Sequence, residues 1–152
     1  MRSPGRATVL WCVVAALAAA VCWWVAPDGG TVAGPDRVTA GRECHSELPP
    51  GAELSCGTYG FGDLRYVCSA GFDDEDRCVR TSQVTVRNAG RSTVYVACIV
   101  GPHQGVREEG PRQALEPGGE ATLRPGGGRL FFDITLRGTD GGPNRLEVLR
   151  VG

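Results

Sequence analysis

Of seven cysteines, Cys12 and Cys22 fall in an apolar N-terminal run; the other five, two histidines and one run of four acidic residues are the side chains here with the means to hold a metal, exchange electrons or attack a substrate. Their spacing narrows the chemistry. Cys44, Cys56, Cys68 and Cys78 are separated by eleven, eleven and nine residues. Zinc ligands sit roughly two to four residues apart, so that one tight turn aims them at a single ion. No CxxC pair occurs, so a thioredoxin-like redox site is not expected. His45 adjoins Cys44, too close for both to chelate one ion from an extended chain. The acidic run, residues 73–76 of VCSAGFDDEDRC, lacks the glycine and the glutamate that an EF-hand loop starting at Asp74 requires. Neighbouring carboxylates on an extended chain alternate sides. A calcium ion would therefore draw on Asp73, Asp74 and Asp76 only with a special turn, and the plain alternative is a solvated acidic loop tip. No metal and no cofactor is expected.

A nucleophile needs a base beside it and a group that stabilises charge. Cys98 and His103 lie five residues apart. They would form such a pair only if the fold carried the imidazole to the thiol. The ordinary alternative is a buried strand cysteine and an exposed loop histidine. The glycine-rich RPGGGRL, residues 124–130, resembles a phosphate cradle in composition alone. It joins two expected strands and no helix N-terminus follows, so it reads as a hairpin loop. The expectation is a protein that is not an enzyme.

Disulfides are the simpler use of the cysteines. Outside the cytoplasm, thiols at this density usually pair, and the five beyond the apolar run are odd in number, so at least one is left free or pairs between chains. Cys44–Cys56 and Cys68–Cys78 would leave Cys98. Spacing does not fix connectivity, and Cys68 with Cys98 across two strands is equally compatible. A Cys68–Cys78 bridge would close a loop worth roughly 3 kcal/mol in the chain-entropy account.

That chemistry requires export, and the N-terminus points to it. Residues 1–6 carry Arg2 and Arg6, and residues 7–26 are without a charge. As a helix, that run would cover a bilayer's hydrocarbon core of about 30 Å. Trp11 lies toward one end and Trp23 and Trp24 at the other, where indoles settle at membrane interfaces. Pro27, Asp28, Gly29 and Gly30 would stop the helix. Arginines before the segment and an aspartate after it place residues 1–6 in the cytoplasm and the remainder outside. The alternative is a signal peptide cleaved near Ala33, giving a secreted protein, although signal cores run shorter, about 7–15 residues. Residues 27–42, rich in Gly, Pro and Thr, read as a tether. All sixteen basic residues are arginine. With abundant Gly, Pro, Ala, Asp and Val, the composition resembles that of GC-rich genomes such as actinobacterial ones. The net charge of −1 provides no basic surface for nucleic acid.

Residues 43–152 read as an extracytoplasmic domain made of strands. QVTVRN alternates, burying Val84 and Val86. STVYVACIVG places Val94, Val96, Cys98 and Val100 on one side and Tyr95, Ala97 and Ile99 on the other, which suits a central strand covered on both faces. NAGR between these two supplies tight-hairpin residues, and ALEPGGEATL repeats a turn signature. RLFFDITLRG alternates with Leu130, Phe132, Ile134 and Leu136 inward and Phe131, Asp133 and Thr135 outward. AELSC, DLRYVC and NRLEVLRV complete seven or eight strands at intervals of about ten residues, the profile of an all-β antiparallel sandwich.

The succession VTVRNAGRSTVYV, LEPGGEATL and FFDITLRG, within residues 79–151, resembles bacterial immunoglobulin-like or cell-adhesion-related sandwich modules. That resemblance implies an immunoglobulin-like sandwich used for binding or spacing, without catalysis, and it does not account for the segment from Cys44 to Cys78. The expected function is a membrane-tethered module of the cell envelope that binds an envelope protein or glycan, with no small-molecule cofactor. Loops carry such contacts. GPHQGVREEGP, with His103, Arg107, Glu108 and Glu109, is the longest loop and the first candidate, its alternative being a plain strand connection. A second expectation is a secreted inhibitor that presents a disulfide-braced loop, gaining affinity from preorganisation.

Overall fold

A computed structural model describes residues 36–68 and 78–152. The expected transmembrane segment and the calcium candidates Asp73, Asp74 and Asp76 lie outside the described residues. Among the described residues no helix is long and apolar enough to cross a membrane, and no three His, Cys, Asp or Glu side chains converge as metal ligands.

The described chain is an all-β assembly. Its strands are β1 (Glu43–Ser46), β2 (Glu53–Ser55), β3 (Tyr66–Cys68), β4 (Cys78–Arg80), β5 (Val84–Asn88), β6 (Val94–Gly101), β7 (Glu108–Glu109), β8 (Gln113–Leu115), β9 (Glu120–Leu123), β10 (Leu130–Gly138) and β11 (Asn144–Val151). Every strand pairing is antiparallel. One sheet has the order β1-β11-β5-β9; the other runs β2-β10-β6, with β7 and β8 successively lining the outer edge of β6. β3 and β4 form a separate ribbon.

Period-two alternation does the building. Val84, Val86, Leu123, Leu146 and Val148 from the first sheet share one buried cluster with Val94, Val96, Phe131, Ile134 and Leu136 from the second. Each such side chain contributes about 1.5–3 kcal/mol when fully buried. Val38, within the stretch read as a tether, is also in that cluster. The two sheets therefore lie face to face around a common core.

Three local expectations need correction. NAGR, ALEPGG and RPGGG were each expected to close a hairpin, yet each joins a strand of one sheet to a strand of the other. Asn88 directs the first of these crossings. Its Nδ2 donates to the carbonyls of Ser92, at 2.8 Å, and Leu115, at 2.9 Å, and its Oδ1 accepts from Gly90 N–H at 2.9 Å. No residue of NAGR takes positive φ, so the primed hairpin turn is not formed. In β10 the pairing shifts between Phe131 and Asp133. The extra residue of this bulge turns Phe131 inward, fully buried, and Phe132 outward, the reverse of the simple alternation.

The winding also differs from the immunoglobulin order, in which the first strand pairs with the second and the last with the sixth. Here β1 pairs with β11, and the sheet-forming chain changes sheets at every connection except the one from β6 to β7 and β8.

Among the described residues there are two disulfides, Cys44–Cys56 and Cys68–Cys78, and Cys98 is a free, buried thiol. The first ties β1 to a curled turn, Gly57–Phe61, whose Phe61 is fully buried. A side chain at Gly60 would collide with the Glu43 carbonyl, so the turn packs against β1 only with glycine there. The second disulfide closes the β3–β4 ribbon, where Cys68 and Cys78 are cross-strand partners.

Candidate functional site

The outward face of the second sheet is built from rows of paired residues. Asp133 lies opposite Ile99, Thr135 is flanked by Ala97 and Ser55, and Arg137 is flanked by Tyr95 and Glu53. No third layer of strands covers this face among the described residues, contrary to the reading of β6 as covered on both sides. Ala97 is nonetheless fully buried. Arg112, just before β8, donates to Glu109 at 2.7 Å and reaches Glu53 on β2 at 3.3 Å. Since β6 and β10 lie between these elements, the Arg112 side chain crosses the face above them. The Glu109 hydrogen bond, then its charge and that of Glu53, raise the Arg112 pKa further.

At one end of the face, residues from three distant segments enclose a notch of about 270 Å³. The turn contributes Thr58, the following segment Asp63 and Arg65, the β6–β7 loop Gln104 and Arg107, and the β10 bulge Phe132 and Asp133. Asp133, 8% exposed, is the buried carboxylate of the set. Its Oδ1 accepts from the N–H of Gly57 and of Ile134, both at 2.7 Å, and its Oδ2 accepts a short hydrogen bond from Ser55 Oγ. A Cβ at Gly57 would sit 2.8 Å from Oδ1, so glycine permits the approach. Ser55 Oγ also lies 2.9 Å from Thr58 Oγ1. A hydroxyl has one proton, and with Ser55 donating to Asp133, Thr58 donates to Ser55.

On the opposite wall Arg65 grips Asp63 through Nε at 2.9 Å and Nη2 at 2.8 Å. Burial alone would raise the Asp63 pKa; hydrogen bonds from Arg65, then the charges of Arg65 and Arg37, outweigh it and hold the carboxyl below its ordinary range. Arg107 stacks its guanidinium over the Phe132 ring at 5.2 Å, a cation–π contact that fixes the arginine's direction while leaving its N–H groups for a ligand. The notch thus sets the Arg107 guanidinium beside a network of hydroxyls and carboxylate already bonded to one another.

Of the loop residues singled out in the sequence, Arg107 alone lines the notch. His103 is exposed, its ring 2.9 Å from the Gln104 carbonyl. Glu108 and Glu109 form β7 and are ion-paired to Arg129 and Arg112. Cys98 belongs to the core cluster, and burial raises its thiol pKa, so it and the exposed His103 do not form a catalytic pair. Gln104, Ser55, Thr58, Asp63, Arg65, Phe132 and Asp133 were not singled out as binding residues. The aspartate within the apolar run LFFDITL was the available signal for the last. Comparison of the chain with protein-family models, curated proteins and solved structures found no match.

Proposed function

We propose that the chain is an exported, non-catalytic binding module of the cell envelope, tethered through residues 7–26, with the notch as contact surface for an envelope protein or glycan. Two disulfides and the arginine-flanked apolar segment support the extracytoplasmic, single-pass placement. With β7 and β8 taken as one edge position, the strand order supports reading the domain as an eight-strand jelly roll, a sandwich architecture shared by lectin and capsid domains, in place of the immunoglobulin-like variant. Fold analogy of this kind names no ligand.

The observation that carries the proposal is the division of labour in the notch. Asp133 has both oxygens committed to holding β10 against the turn, while Thr58, Gln104 and Arg107 are exposed at the rim. The test uses the full chain expressed with its N-terminal segment. Fractionation and non-reducing mass spectrometry should find it in the membrane pellet with both bridges formed. Isolated envelope should capture the detergent-purified protein, and the double change Gln104→Ala with Arg107→Ala should lower capture about tenfold without moving the thermal midpoint. A cytosolic, fully reduced protein would overturn the placement, and undiminished capture would overturn the notch.

One observation favours the inhibitor reading: Tyr59 is 65% exposed at the tip of the turn that Cys56 braces. The turn is curled, however, whereas segments that add to an enzyme's sheet edge are extended. Loss of protease inhibition on Tyr59→Ala, in mature protein recovered from the medium, would mark that alternative.

A further inference from the structure

At the other end of the same face, beyond the Arg112 bridge, lies a hollow of about 410 Å³ lined by Gly51, Tyr95, Arg112, Arg137, Gly138 and Thr139. Two features distinguish it from a plain surface dip. Tyr95 is 40% exposed, one of three large hydrophobic side chains so exposed among the described residues. It projects from β6, a strand flanked on both sides, so its ring is offered from a rigid base. Beside it in register is Arg137. The carboxylate nearest in register to Arg137 is that of Glu53, but Glu53 is engaged by Arg112. The Arg137 guanidinium has no hydrogen-bond or ion-pair partner among the described residues. It is still positioned, because Nη2 lies against Gly51 in the β1–β2 turn, where a Cβ would be 3.2 Å away. Gly51 has φ +83°, a conformation that favours glycine.

We propose that this hollow is a binding site for a carboxylated sugar ring, of the hexuronate type found in acidic polysaccharides. The hydrogen bonding decides the sign of the ligand: Glu53 and Glu109 are both engaged by Arg112, so Arg137 is left as a guanidinium without a bonded carboxylate among the described residues. A planar guanidinium fork takes a carboxylate through two parallel hydrogen bonds. The phenol ring offers a flat apolar surface for the C–H face of a sugar ring and a hydroxyl for its rim. The hydroxyls of Tyr95 and Thr139, both lining the hollow, are hydrogen-bonding partners for those of a sugar. A carboxylate on a hydrocarbon tail would leave these polar groups desolvated and unpaired, which favours a hydroxylated body. The site shares no residue with the notch.

Isothermal titration of the full chain in detergent micelles tests the site, with tri-galacturonate, its methyl ester, neutral galactotriose and acetyl-triglutamate as probes. Tri-galacturonate should bind at least about tenfold more tightly than the other three. Arg137→Gln should abolish the preference for acid over ester, and Tyr95→Ala should weaken both. Arg137 and Tyr95 face outward, so thermal midpoints should hold. Arg107→Ala should leave this binding unchanged, which separates failure here from failure of the notch. Absent tri-galacturonate binding, equal binding of acid and ester, or insensitivity to Arg137→Gln would overturn the site. Equally tight binding of triglutamate would overturn the sugar and point to an acidic peptide.

Discussion

Asp133 shows what one residue can be asked to do. An aspartate inside LFFDITL reads from the sequence as an outward position on a strand, and outward it is. Nothing local says that its carboxylate receives Ser55 and Gly57 across 78 and 76 residues of chain. Asp133→Ala leaves a hydroxyl and two backbone N–H groups without their acceptor, and should cost about 2–4 kcal/mol. Asp133→Asn, which keeps the shape and one acceptor oxygen, should cost less. Urea unfolding of both variants checks this, and a cost below about 1 kcal/mol for alanine would mean that the carboxylate does not hold the turn. Asn88 is the companion case. Its residue type announced a turn correctly, but its hydrogen bonds to Ser92 and Leu115 stitch together a crossing between sheets, not a two-residue hairpin.

At the scale of elements the two disulfides have unequal roles. Cys44–Cys56 joins an edge strand to the turn that forms one wall of the notch, and both half-cystines are fully buried. Cys68–Cys78 closes a ribbon whose strands pair only with each other. Replacing Cys44 and Cys56 together by alanine should lower global stability by about 3 kcal/mol, from the entropy of the opened loop. Replacing Cys68 and Cys78 should instead remove amide exchange protection within Tyr66–Cys68 and Cys78–Arg80 while the core strands keep theirs, because an isolated two-stranded ribbon is marginal in water. Hydrogen exchange resolved by residue separates the two outcomes. A uniform loss of protection in the second variant would show the ribbon to be part of the cooperative unit. The spacing of the cysteines made both pairs eligible, but which sulfurs meet was decided by the strands that carry them.

For the whole molecule, the alternation of successive strands between two sheets builds one core shared by both. Cys98 lies in that core, and burial pushes its thiol pKa up, so the reactive thiolate is scarce while the protein is folded. Alkylation by iodoacetamide at pH 8, slow beside refolding, should therefore track the globally unfolded population across a urea series. Rapid labelling of the native protein would place Cys98 at an accessible edge. The notch and the hollow follow from the same architecture, being the two ends of one outward sheet face divided by Arg112.

The all-strand character, the approximate positions of most strands and the inward valines were legible in the sequence, because a residue's side of a sheet alternates with a period of two. Which strands become neighbours was not, since a turn signature says that the chain reverses without saying whether it returns to its own sheet or to the facing one. The bulge at Phe131–Asp133, the burial of Asp133 and the meeting of Arg107 with Thr58 depend on contacts between segments far apart in the chain. Such contacts have no local signal, and only the packing of two complete sheets decides them.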